Sequence, residues 1–108
     1  MITDRELDAV IAEKVYGRTL HRVTDDIIWQ IGIGTRQMVP YYSSSLDALA
    51  PVVTKTIEKV GADDWLGRLS LVVTGSYDDR GHWCSDDLAK MWTASPRQIA
   101  EAVVRCWE

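Results

Sequence analysis

Phenylalanine is absent from this 108-residue chain, so its aromatic rings, five Trp and four Tyr, all carry a polar handle that seeks a partner when buried. That favours rims and interfaces over a wholly oily core. Cysteine is scarce: Cys84 and Cys106 are too few for a disulfide framework and too far apart for a metal knuckle, so reduced thiols are expected. No apolar run reaches the ~18 residues of a transmembrane helix. The opening Met-Ile-Thr-Asp-Arg-Glu carries acids where a signal peptide would be basic and then apolar, which points to a cytoplasmic protein that does not engage a membrane. Cations are in the minority, 12 Lys and Arg against 16 Asp and Glu, giving a net charge of −4. That sign excludes duplex nucleic-acid binding through neutralised phosphates.

The length suits one domain over residues 1–108, and 46% hydrophobic with 26% charged residues supplies a core without staples. No linker, repeat or low-complexity stretch divides it. Thr3 and Glu6 form a capping-box pattern, after which Leu7, Val10, Ile11 and Val15 recur at helical spacing until Gly17 supplies a left-handed stop. A polar link through His21 and Asp25-Asp26 leads to a strand in which Ile27, Trp29, Ile31 and Ile33 alternate with Ile28, Gln30, Gly32 and Gly34. Ser43, Ser44 and Ser45 offer caps for a second helix through Leu46, Leu49, Val53, Ile57 and Val60 to Gly61, with Pro51 expected to kink or restart it.

From Arg68 to Tyr77 the residues alternate again, predicting a strand; Asp78-Asp79-Arg80-Gly81 then reads as a turn and His82 to Ser85 as the returning strand. A short strand over Ala89 to Thr93 precedes a last helix that starts at Ser95 with Pro96 and carries Ile99, Val103 and Trp107 on one stripe. The expected class is α+β, an antiparallel sheet of three to four strands flanked by three helices.

Three segments carry a resemblance: Arg5-Glu6-Leu7-Asp8 through Tyr16-Gly17, Tyr42-Ser43-Ser44-Ser45-Leu46-Asp47-Ala48-Leu49, and Thr93-Ala94-Ser95-Pro96-Arg97-Gln98-Ile99-Ala100-Glu101-Ala102. In that order they resemble the small phage-encoded family known as the phage alpha-beta-alpha sandwich domain. The resemblance implies a viral or prophage origin, a host-cell cytoplasmic location and a small single-domain alpha-beta-alpha sandwich. It implies no activity, because the family has no agreed catalytic residues.

Motifs for catalysis are weak. Neither His21 nor His82 stands in a nucleophile motif, and there is no Gly-x-Ser-x-Gly elbow. His82, Cys84 and Asp86 alternate as strand neighbours would and could contribute metal ligands, but a fourth ligand is wanting. Aspartate pairs at 25–26, 63–64, 78–79 and 86–87 fall in links, where Asp caps helices and makes turns. Gly32-Ile33-Gly34 lacks the third glycine of a phosphate loop and reads as a bend or bulge. No enzyme, metal or cofactor is expected.

Binding residues are better represented. Arg36, Tyr42, the amides at Ser44 and Ser45, Trp83 and Arg97 are of the kinds that stack on a base and hold phosphate. Arg97 also stands in the first turn of the last helix, where the dipole does not favour a cation, which hints at an acidic partner. Trp65 and Trp107 are candidate interface residues for a homo-oligomer. The expected function is a non-enzymatic phage-encoded binding protein that counters host defence, by sequestering a nucleotide second messenger or by blocking a host protein. The alternative is an accessory interaction or assembly module acting through homo-oligomer or partner contacts.

Overall fold

The computed structural model describes residues 3–32, 35–75 and 85–108. They form an α+β domain of five helices and a three-stranded antiparallel sheet. Helix α1 spans Asp4–Tyr16, capped by the Thr3 side chain accepting from the Glu6 amide and stopped by Gly17 in the left-handed region at φ 63°. Three short strands follow, β1 (Thr19–Arg22), β2 (Ile28–Gly32) and β3 (Thr35–Met38), in the order β1-β2-β3. A single 3-10 turn at Tyr42–Ser44 leads into α2 (Leu46–Val60), whose N-cap is Ser45, accepting from the Ala48 amide. Pro51 lies inside α2, exposed, and the helix neither ends nor restarts there.

Gly61 alone joins α2 to α3 (Ala62–Thr74), at φ 90° and ψ 156°, a conformation open only to glycine. Helix α4 covers Ser85–Trp92 and α5 covers Pro96–Cys106. The start of α5 is a full capping box, with Ser95 and Gln98 exchanging side-chain to backbone hydrogen bonds.

Two expected strands are helices. The segment from Arg68 lies in α3, where Trp65 and Leu69, four residues apart, are both buried, while Gly75 in the left-handed region stops the helix. Leu69, Leu71 and Val73 fit a period of two, while Trp65, Leu69, Val72 and Val73 fit one flank of a helix, and Asp63-Asp64 is a helical first turn rather than a link. Residues 89–92 belong to α4. The expected turn at 78–81, and residues 82–84 of the returning strand, lie outside the described residues, while Ser85 begins α4. The sheet therefore comes from residues 19–38, and β1 is built from the stretch read as a polar link.

Helix α5 is the centre of the packing, touching α1, α2, α3 and the 3-10 turn. Ala100, Ala102 and Val103 have no exposed surface, and Leu7, Ile11, Leu49, Val52 and Leu69 pack in the same core cluster. The sheet joins this core by one face through Ile28 and Val39, both fully buried, and half-buried Leu20.

Candidate interaction surface

The register decides which side chains share the sheet's other face. Thr19 pairs with Ile31 and Ile31 with Arg36; His21 pairs with Trp29 and Trp29 with Met38. Directly paired residues of an antiparallel ladder project to one side, and Ile28, Val39 and Leu20 have the opposite parity. The inner face thus holds the core residues and Arg22, which binds Glu6 of α1 at 2.6 Å. The outer face presents Trp29, Ile31 and Met38 together with Val23 and Ile27, whose backbones pair just beyond the strand ends, and beside them the polar Thr19, His21 and Arg36.

The apolar residues of this outer face are open to solvent. Val23 is 55% exposed, Ile31 42%, Ile27 38% and Met38 37%, and no described helix covers them. Leu20 is among the half-buried hydrophobics packed on the core; Trp29 is not. The charges along the face are arranged by end. Arg36 stands beside Ile31 at one end, and exposed Asp25-Asp26, in the turn between β1 and β2, stands beyond Ile27 at the other. Among the described residues none of the three charges has an ion-pair partner.

A buried polar hub fixes the sheet to α1. The Arg5 guanidinium donates to Asp8 Oδ2 at 2.8 Å, to the Val39 carbonyl at 3.0 Å, to the Asp26 carbonyl at 3.0 Å and to the Pro40 carbonyl at 3.4 Å. The Tyr41 ring covers its open side at 4.1 Å. Asp8, with no exposed surface, accepts the Ser43 amide on its second oxygen at 2.7 Å. Such a pair offsets its desolvation only when the remaining donors and acceptors are met, as they are here. Its residues are in a sequence segment legible only as a helix start, and their role depends on contacts more than 30 residues away.

The six residues expected to hold a ligand are dispersed or engaged. Arg36 is exposed on β3. Tyr42 is buried, stacked on Tyr16 with centroids 6.4 Å apart, and burial above all pushes its hydroxyl up to about 12. The Ser44 amide donates to the Tyr41 carbonyl and the Ser45 amide to the Tyr42 carbonyl. Arg97 binds Asp4 and, at 3.3 Å, Glu101, so the acidic group its position hinted at belongs to this chain. Asp4 also accepts the Ser43 hydroxyl through its carbonyl, which places Arg97 beside the serine turn but occupied. Trp83 lies outside the described residues, as do His82 and Cys84.

Of the two expected interface residues, Trp65 is buried at 6% exposure. Half-buried Trp107 donates its indole N–H to Thr56 Oγ1 at 2.9 Å and lies under the Lys59 ammonium at 4.0 Å. Both hold helices together. Burial pushes the Cys106 thiol up to about 11, with Asp64 adding to it, so this cysteine is a poor nucleophile at neutral pH. Among the described residues no His, Cys, Asp and Glu cluster suits a metal ion, and no helix is long and apolar enough to cross a membrane.

Sequence reasoning missed the outer face because two of its strands, Thr19–Arg22 and Thr35–Met38, carry one large apolar residue each. The signal that was present is the row Ile27, Trp29, Ile31, on the side of β2 opposite fully buried Ile28. Compared with known proteins, the chain matches no family model, no curated protein and no solved structure. The likeness to the phage alpha-beta-alpha sandwich family rests on the three sequence segments alone.

Proposed function

We propose that this domain is a non-enzymatic interaction module whose docking surface is the outer face of the β1-β2-β3 sheet. The observation that carries the reading is the row of exposed apolar side chains, Val23, Ile27, Ile31 and Met38, around half-buried Trp29 on one sheet face. Contiguous apolar surface of this kind marks an interaction site, because a three-stranded sheet with one open apolar face leaves its hydrophobic energy unrealised. An alpha-beta-alpha sandwich needs a further layer on that face, and in this reading a binding partner supplies it. The phage resemblance implies a virus-infected cell as the setting, in which a face of this kind serves protein contacts. Nucleotide sequestration draws less support, since Arg97 and the amides of Ser44 and Ser45 are engaged within the chain.

The test places a photo-crosslinking amino acid at Ile31 and, as a control, at exposed Glu58 of α2. Protein adducts formed from Ile31 and not from Glu58 in producing cells are expected. A folded protein that forms none, or a nucleotide carried through gentle purification and released on denaturation, would overturn the reading.

A further inference from the structure

We infer that the occupant of the outer sheet face is a second copy of this chain, packed face to face about a two-fold axis that crosses the strands at Trp29. The inference rests on the interaction-module reading and adds the partner's identity and orientation. The face is self-complementary about its middle row. Two residues along β2 from Trp29 in either direction stand Ile31 and Ile27, each ~7 Å away in a strand. An axis across the strands at Trp29 reverses the strand direction of the partner, so Ile31 of one copy meets the partner's Ile27, and the two Trp29 side chains meet at the centre.

The charges follow the same symmetry. Arg36 lies in the row of Ile31, and Asp25-Asp26 lies just past Ile27. Reversal therefore sets each Arg36 toward the partner's Asp25-Asp26, giving two equivalent attractions in an isologous interface. The lateral offset between β3 and the β1–β2 turn is about one and a half strand spacings, ~7 Å, which with the ~10 Å between packed sheets places the opposite charges at a distance of attraction across the rim rather than in direct contact. The other face-to-face arrangement, with the axis along the strands, would bring Arg36 toward Arg36 and leave the acids opposed to acids. Like charges across an interface suppress that alternative.

The size of the face sets the strength. Three strands ~4.8 Å apart, over about five residues, cover roughly 240 Å² in plan. A standard interface buries about 800 Å² on each side, so a face of this size supports only a weak dimer, populated at high protein concentration. Its stability should fall with added salt, since the Arg36 attractions lie at the rim.

The test is sedimentation of the full chain over a rising concentration series, with circular dichroism to confirm folding. The expected result is a monomer-dimer equilibrium weakened at least tenfold by Arg36→Glu, and similarly by Asp25→Lys with Asp26→Lys, all exposed positions whose side chains hold no described structure together. Combining the two reversals is expected to restore association to within about threefold of the parent, because the cross-subunit pairing is regained. A chain that stays monomeric throughout, or a dimer indifferent to either reversal, overturns the inference. If the chain is monomeric while the crosslinker at Ile31 captures a different protein, the second-copy assignment fails and the interaction-module reading survives.

Discussion

Arg5 shows how much one side chain can decide. Its guanidinium binds one residue of its own helix, Asp8, and three carbonyls from the two chain segments that enter and leave the β2–β3 region, Asp26, Val39 and Pro40. Replacing it by Met keeps the bulk and leaves Asp8 buried with one bond to the Ser43 amide. Arg5→Met should lower stability in urea unfolding by about 3–5 kcal/mol, as expected when one partner of a buried pair is removed. Arg5→Met with Asp8→Asn should lose less than the sum of the two single changes, because the stranded charge is gone. Tyr42 gives a second test at this scale. Burial holds its hydroxyl up to about 12, against 10.0 for an ordinary tyrosine. The unfolded chain therefore releases this proton first as the solution becomes alkaline. The contribution of neutral Tyr42 is fully present below pH 10 and is lost as pH rises through about 12. Alkaline denaturation followed by tyrosinate absorbance should show Tyr42 ionising late, and Tyr42→Phe should flatten the fall in stability over that interval. A residual slope is expected from Tyr16, which burial also raises.

Among the elements, the joint between α2 and α3 depends on a single residue. Gly61 holds φ 90° and ψ 156°, and a Cβ added there would meet nothing within 4 Å. Gly61→Ala should therefore destabilise by about 1–3 kcal/mol through backbone strain alone, without a clash, and the variant should keep its helix content in circular dichroism below the transition. The helices were legible where their ends are chemically marked. Thr3 and Gly17 bracket α1, Ser45 starts α2, and Ser95, Pro96 and Gln98 start α5, each by a local hydrogen bond or a fixed φ that three or four residues determine. Helix α3 was not, because its only N-cap is Gly61, without a side chain to signal it, and its apolar run Leu69 to Val73 satisfies two periods at once. β1 and β3 were hidden for a related reason: Thr-Leu-His-Arg and Thr-Arg-Gln-Met have little hydrophobic alternation, and their pairing to β2 is what makes them strands. The outer sheet face went unread with them. A surface composed across three strands shows in only one of them, β2, whereas the Ser44, Ser45 and Arg97 groups looked vacant in sequence and are satisfied by Tyr41 and Tyr42 within the 3-10 turn and by Asp4 at the far end of the chain.

The molecule as a whole is one helical core with a sheet attached by its inner face. Helix α5 meets α1, α2 and α3, and its fully buried alanines, Ala100 and Ala102, let them approach closely. Ala102→Leu should disturb all three contacts together. Overpacking of this kind lowers stability by about 1–3 kcal/mol, and backbone and tryptophan signals should move to the same new midpoint if the core unfolds as one unit. The placement of that central helix last among the five has a consequence for how the protein is made. A nascent chain emerging from the ribosome exposes α1, α2 and α3 before the surface they share has been synthesised. Until α5 leaves the exit tunnel, Leu7, Leu49 and Leu69 lack the surface they share, so this core closes only once its fifth described helix has been made.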